Sequence, residues 1–332
     1  KMLSMEHDRF EIALSEPVEA SIVLPEEKSA DTAMLFRHAL VQQAAYAGIA
    51  RKQRRELHGR IAQLLLAESP TLAETEPETL ARHYAGAGDS VEAVTYLIAA
   101  GKRAASRAAQ VEASNHYFAA LEHLESWPEG RSRDETEVML RAMLGAALMA
   151  TRGFAAPEVH DAFARARALC LELGDSPMHI SCLYGLLTVA ASRSNRDETL
   201  ALAGEMLDMF GEAPVPSWNI CAHFAIGFAR FFEGDLDAAD VHFDRVLEVY
   251  TPDQHGLLME QFGDNLAEFT VCYQHWINLF RGRLDASETA LQRAEEMARS
   301  LGNRAALTRS IAFRVGRLLE IGQAEEVAKV VP

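Results

Sequence analysis

The sequence predicts an all-α protein built as a solenoid of antiparallel helix pairs. Residues 227–247 have the pattern of one helix-turn-helix unit, and weaker copies of that unit recur along the chain. The composition favours helix, because alanine, leucine and glutamate dominate and only 11 of the 332 residues are proline. Alternation of apolar and polar residues, the mark of a half-buried strand, is nearly absent.

The clearest unit has the sequence GFARFFEGDLDAADVHFDRVL. Gly227 lies on its first helix and Gly234-Asp235 forms the turn, and the second helix carries Leu236, Ala239, Phe243 and Val246 on one face. Small residues where two helices touch, with large residues beside them, are typical of a tetratricopeptide (TPR) repeat. A single unit of this kind cannot bury its own apolar face, so the pattern predicts further copies and a binding scaffold.

Weaker copies of the unit have turns at Gly88, Asn195, Gly282 and Gly322. The intervals from 195 to 234, from 234 to 282 and from 282 to 322 exceed the roughly 34 residues of a standard repeat. Longer helices or inserted loops are therefore expected, the longest at residues 250–266, where an insertion either covers a binding surface or only connects two helices. The alternative to a repeat is a non-repetitive helical bundle with chance spacing.

The N-terminal residues have a different pattern. Phe10–Ala20 is predicted to be a short helix, followed by two short strands at Ile22–Leu24 and Met34–Phe36 with a polar turn between them. This order suggests the last helix and wing of a winged-helix unit. Helices are then predicted over Ala39–Ile49 and Arg51–Ala67. The domain prediction is a winged-helix-like segment with junction helices over residues 1–70, and degenerate helical repeats over residues 71–332.

The net charge of −16 argues against non-specific binding of nucleic acid, which requires lysine and arginine to neutralise phosphates. One helix is locally basic, with Arg51, Lys52, Arg54, Arg55 and Arg60. That run is either a solvated or docked helix face, or a site for a nucleotide phosphate or DNA. No apolar run is long enough to span a membrane and no signal peptide is visible, which predicts a cytoplasmic protein without a membrane partner.

Motifs for catalysis and for metal binding are absent from the sequence. It contains no GxxxxGK[ST] phosphate loop, no GxSxG elbow and no HExxH. Asp235, Asp237 and Asp240 imitate the start of a calcium loop but lack its glycine and distal glutamate, so they are expected to cap a helix. The four cysteines are far apart and are expected to be reduced core residues. We therefore expect no enzyme, and no catalytic, metal or cofactor-binding residue, in this chain.

An aromatic stripe is the candidate binding site. The first helix of each TPR pair lines the concave surface of such a solenoid, and on two successive first helices that surface is predicted to carry the rings of Phe224, Phe228, Phe231, Phe269, Trp276 and Phe280. Arg230, His275 and Arg281 are predicted to supply polar anchors. Such a surface suits a peptide or a partner helix. The alternative is that the rings fill the core between helices.

Two stretches of the chain resemble a known protein family. Phe36–Gln42, Tyr46 and Arg54–Ala62 are similar to the segment that follows the ATPase module in bacterial class III adenylate/guanylate cyclase homologues and in related transcriptional activators. Those proteins carry a central AAA/STAND-type ATPase and a C-terminal TPR region. The second stretch matches at Phe262–Asn265, Trp276, Leu279, Gly282, Leu284, Ala290, Ala294, Ala298 and Leu301–Gly302.

The resemblance implies a longer signalling protein of which this chain is a fragment. ATP would bind an upstream domain, and the junction residues Arg51, Arg54, Arg55 and Arg60 would contact that ATPase domain and pass on the state of the repeats. The resulting hypothesis is a regulatory module that binds a protein, a peptide or a small-molecule inducer in the concave groove. The alternative hypothesis is a structural module through which the parent protein forms a homo-oligomer.

Overall fold

The computed structural model describes residues 14–25, 34–174, 178–210, 216–262 and 265–330. Helices dominate this part of the chain, and its strands form one small sheet. Successive helices pack against each other as antiparallel neighbours, so the all-α prediction is confirmed. The chain divides into two compact units, residues Lys1–Ala147 and Leu148–Pro332.

The first unit begins with a short helix, α1, over residues 14–19, and a two-stranded antiparallel sheet in which Leu24 pairs with Leu35. Its elements are β1 Val23–Pro25, β2 Met34–Phe36, α2 Ala39–Gly48, α3 Arg51–Glu68, α4 Leu72–Thr75, α5 Pro77–Ala87, α6 Ser90–Ser106 and α7 Gln110–Leu124, followed by α8 Arg131–Arg152, which contains the boundary between the units. Both strands and the two helices after them lie where the sequence predicts them, to within two residues. Residues 10–13 of the predicted helix and 26–33 of the predicted turn lie outside the described residues.

The basic helix α3 packs on α5, which in turn packs on α6. The predicted junction segment is therefore in direct contact with the first helix of the predicted repeats. The winged-helix identity of this segment and the boundary near residue 70 stay predictions.

The second unit is also built of helix pairs. Its elements are α9 Pro157–Leu173, α10 His179–Ser192, α11 Arg196–Phe210, α12 Pro216–Glu233, α13 Leu236–Val249, a 3₁₀ turn Pro252–Gln254, α14 His255–Phe262, α15 Leu266–Phe280, α16 Leu284–Ser300, α17 Arg304–Glu320 and α18 Ala324–Val330. Each of α10, α12 and α15 contacts both the helix that follows it in its pair and the first helix of the next pair. The first helices of successive pairs thus lie side by side.

Part of the insertion at residues 250–266 is folded against neighbouring helices. It contains α14, whose Leu258 is fully buried. Phe262 packs edge-on against the rings of Tyr184 and Trp218, with centroid distances of 4.9 and 4.8 Å. The Tyr184 hydroxyl also donates to the Phe262 carbonyl at 3.1 Å. These contacts hold α14 against α10 and α12.

The turns between paired helices share one backbone geometry. Gly234 has a φ of 81°, and the amide of Asp235 donates to the Arg230 carbonyl five residues back at 3.1 Å. This is the Schellman ending of a helix, which needs a left-handed residue and so favours glycine. The Asp235 carboxylate then accepts from the Ala238 amide at 3.1 Å, so it caps α13 as predicted. The same backbone bond closes the turns at Gly88, Gly282 and Gly322, and also the α10–α11 turn, where Ser194 rather than Asn195 is left-handed.

Close helix pairs place a glycine on one helix against a ring on the other. A Cβ atom on Gly227 would lie 2.6 Å from the Phe243 ring. The same relation joins Gly101 to Tyr117, and Gly185 to Phe163. Because a side chain at these positions would meet a packed ring, glycine is required for the helices to approach closely.

We expect Gly227→Ala to destabilise the protein by about 1–3 kcal/mol, because the added methyl group must displace the buried Phe243 ring. Gly204→Ala, within α11, is the matched control. A Cβ there would meet nothing within 4 Å, so alanine should stabilise the protein by up to about 1 kcal/mol through its helix propensity. Urea unfolding of both variants tests the pair, and a stabilising Gly227→Ala would contradict the packing described here.

Candidate functional site

The aromatic residues of α12, α13, α15 and α17 form one cluster around Tyr273. The rings within 6.5 Å of the Tyr273 ring centroid belong to Phe224, Phe228, Phe231, Phe232, Phe243, Phe269 and Phe313. Tyr273 and Phe243 are buried with Ala239 and Ile277. Burial raises the pKa of the Tyr273 hydroxyl. The cluster is therefore a tightly packed junction between successive helix pairs.

Most of the rings predicted to face a ligand contribute to this junction. Phe224, Phe228, Phe231 and Phe269 are partly buried and pack on the buried centre of the cluster. These four rings therefore fill space between helices, which is the alternative that the sequence left open. Trp276 is also partly buried, and its ring lies 3.1 Å from the position a Cβ would take on Gly316.

Two rings at the edge of the cluster remain open to solvent. Phe232 at the end of α12 is 67% exposed, and Phe280 at the end of α15 is 59% exposed. Phe231 lies between them, with centroid distances of 5.3 Å to Phe232 and 6.1 Å to Phe280. Trp276 is near-parallel to Phe280 at 5.4 Å. We call Phe228, Phe231, Phe232, Trp276 and Phe280 the aromatic rim.

Two of the predicted polar anchors, Arg230 and Arg281, form ion pairs with carboxylates of the same chain. Arg281 donates to Asp240 at 2.7 Å and also to Asp237. Arg230 donates to Glu233 at 2.8 Å. Both arginines are partly exposed, so a ligand at the rim would meet ion pairs at its border.

His275 does not lie at a surface, which corrects its predicted role as an anchor. It is 0% exposed, and its Nδ1 is 2.7 Å from the Ser287 hydroxyl of α16. Burial lowers its pKa to about 4, so the ring is neutral at pH 7. His275 links α15 to α16 through Ser287. Because α16 covers it, the ring cannot contact a ligand at the surface.

The fold brings three of the four predicted junction arginines together and leaves the fourth apart. Arg51, Arg54 and Arg55 line one cavity in the first unit. Arg60 is exposed farther along α3 and does not line that cavity. Whether these residues contact an upstream domain stays a prediction.

The aromatic stripe predicted from the sequence lacked Phe232 and Phe313 and did not have Tyr273 at its centre. Phe232 follows Phe228 by four residues, which is the spacing of neighbours on one helix face, and this signal was available. Tyr273 follows Phe269 at the same spacing. Its position at the centre of the cluster depends on three other helices, which sequence spacing does not reveal.

No helix in the described part of the chain is long and apolar enough to cross a membrane. Within the same residues, no three histidine, cysteine, aspartate or glutamate side chains are grouped as metal ligands. The four cysteines are buried thiols.

Comparisons with known proteins show the fold. No protein-family model matches the chain. The apo form of RapI is similar over 87% of this chain and 74% of its own, with a TM-score of 0.57 and 11% identity. A Rap protein complexed with Competence and Sporulation Factor is similar over 88% of both chains, with a TM-score of 0.51 and 11% identity. The predicted TPR-like solenoid of antiparallel helix pairs is thereby confirmed.

One curated protein matches in sequence. The uncharacterized protein R02095 of Rhizobium meliloti (strain 1021) is 34% identical over 122 residues, which is 37% of this chain and 12% of that protein. The matched segment is thus a small part of a much longer relative.

Proposed function

We propose that this chain is a non-catalytic interaction module that binds a peptide or a helical segment of a partner protein at the aromatic rim. The observation that carries this proposal is the exposure of Phe232 and Phe280 beside rings that the fold holds in place. Large exposed aromatic groups that are fixed by packing make favourable anchors, because little side-chain freedom is lost on binding.

The surroundings of the rim suit a peptide better than a small apolar molecule. The rim is bordered by the Arg281–Asp240 and Arg230–Glu233 ion pairs, which offer charged groups of both signs. An apolar centre with a polar border is the usual composition of a protein interface. The Rap protein complexed with Competence and Sporulation Factor gives support by fold analogy, since a helical-repeat chain there holds a partner.

We also propose that the module serves a longer signalling protein with an upstream ATPase. The similarity of Phe36–Gln42 and Arg54–Ala62 to the junction of cyclase homologues and transcriptional activators supports this, as does the length of the R. meliloti relative. In such a protein, binding of a ligand at the rim would change the state of the effector domain through the repeats.

The rim proposal predicts that peptides selected on the purified chain from a random display library lose affinity when the exposed rings are removed. We expect the double variant Phe232→Ser/Phe280→Ser to bind the selected peptide about 30-fold or more weakly, because anchors of this kind contribute about 2 kcal/mol or more. Fluorescence anisotropy of the labelled peptide measures the change.

Phe154→Ser is the matched control, because Phe154 is similarly exposed and lies outside the cluster. It should leave the peptide affinity unchanged. Equal binding by the rim variant and the unmodified chain would refute the proposal. Light scattering of both proteins tests self-association: a concentration-dependent dimer that the rim substitutions abolish would favour the structural alternative.

A further inference from the structure

The first unit contains a concave site of about 460 Å³ whose wall carries three arginines. Arg51, Arg54 and Arg55 come from the first two turns of α3, and Tyr46 comes from α2. His123 comes from the end of α7, and Ser126 follows that helix. The volume lies in the range of sites that hold small molecules. With residues from α5 and α6, five helices converge on a site rich in hydrogen-bond donors.

Two of these arginines are held in place by groups that do not cancel their charge. The Nε atom of Arg55 donates to the Ala87 carbonyl at the end of α5, at 2.8 Å. Gly88 makes this position possible, because a Cβ there would lie 2.1 Å from Nη2 of Arg55. The guanidinium of Arg54 lies over the Tyr46 ring, 4.9 Å from its centroid.

None of the three arginines forms an ion pair with a carboxylate in the described part of the chain. Elsewhere the arginines are often neutralised, and Arg281 and Arg314 each pair with two carboxylates. The contrast is marked in a chain with a net charge of −16. Uncompensated guanidinium groups that share a cavity attract an anion.

Two histidines, His58 and His83, lie next to the cavity. His58 is 2.7 Å from the Tyr46 hydroxyl through Nε2 and 3.1 Å from Nδ1 of His83 through Nδ1. Its pKa is lowered, first by burial and then by the charges of Arg82 and Arg54. The first turn of α6 also reaches the cavity at Ser90, although Asp89 caps that helix through the Glu92 amide at 3.2 Å. The three arginines are therefore the main positively charged groups of the cavity.

We infer that this cavity binds the phosphate groups of a small anionic molecule, with a pyrophosphate group as the best match. Guanidinium groups present paired N–H donors that fit phosphate oxygens. Three cations match the charge of a diphosphate better than that of a single carboxylate. The inference is independent of the aromatic rim, which belongs to the other unit.

Isothermal titration calorimetry of the whole chain with inorganic pyrophosphate tests the inference. We expect saturable binding of one pyrophosphate, and Arg51→Gln or Arg54→Gln should weaken it by about tenfold each, as expected for a lost charge-assisted contact. Arg60→Gln, on the same helix but outside the cavity, is the matched control and should change the affinity by less than about twofold. Arg55 is left unchanged because it also holds the end of α5.

Two further titrations, with ADP and with inorganic phosphate, identify the source of the anion. Tighter binding of ADP than of pyrophosphate would support a nucleotide, and equal or weaker binding would support the inorganic anion. If none of the three anions bound saturably, the inference would be overturned. Equal weakening by Arg60→Gln would also overturn it, because it would indicate general charge attraction. Circular dichroism melting of each variant confirms that the fold is retained.

Discussion

Replacing Glu268 with alanine should destabilise the protein by about 3–5 kcal/mol, because it removes the carboxylate from a buried charged network. Glu268 is 0% exposed, yet it accepts from Ser310 at 2.6 Å, from the Cys272 thiol at 3.2 Å and from Arg309. Arg309 in turn lies over the Phe269 ring at 4.1 Å. Without the carboxylate, the guanidinium of Arg309 would lose a charged partner in a largely buried place. Urea unfolding followed by circular dichroism measures the loss.

Glu248→Ala is the control for this prediction, because Glu248 pairs with Arg245 on the surface of α13. Exposed pairs contribute about 0–1 kcal/mol, so this variant should remain close to the unmodified protein. The double replacement Glu268→Leu/Arg309→Met should be less destabilising than the sum of its single changes, because both buried charges leave together. A loss for Glu268→Ala no larger than for Glu248→Ala would show that the network does not hold α15 to α17.

Phe243→Ala should destabilise the protein by about 3–5 kcal/mol, which is the usual loss for a large buried ring. Phe243 is 0% exposed, faces Gly227 and is near-parallel to Tyr273 at a centroid distance of 5.8 Å. The cavity left behind would loosen the support of the aromatic rim. We therefore also expect weaker binding of the selected peptide at temperatures where the variant is still folded.

Val241→Ala, on the same helix, provides the comparison for Phe243→Ala. Val241 is 61% exposed, so its truncation should change the free energy of unfolding by no more than about 0.5 kcal/mol. If the two variants unfolded at the same urea concentration, Phe243 would not be the centre of packing that the structure indicates.

The two proposed sites lie in different units of the chain, so their tests are independent. The aromatic rim is formed by α12 and α15, and the arginine cavity by α2, α3, α6 and α7 with the end of α5. Loss of peptide binding in the rim variant should leave pyrophosphate binding intact, and the Arg51 and Arg54 variants should still bind the peptide. Each variant thus serves as a folding control for the other site.

The local features of the fold could be predicted from the sequence. The turn at Gly234-Asp235 depends on a left-handed residue and a capping carboxylate that are adjacent in the chain. The two strands and helices α2 and α3 follow in the same way from short-range patterns. The basic character of α3 was also visible, because its arginines lie within one short stretch.

The sequence by itself determined the class of fold, the turn at Gly234-Asp235 and the bounds of α2 and α3, because these depend on residues a few positions apart. Only the tertiary structure decided which rings are core and which are rim, since helical spacing defines a face but not how much of it a neighbouring helix covers. His275 is buried because Ser287 of α16 lies over it. Arg51, Arg54 and Arg55 share a cavity because residues from α2, α5 and α7 close around them.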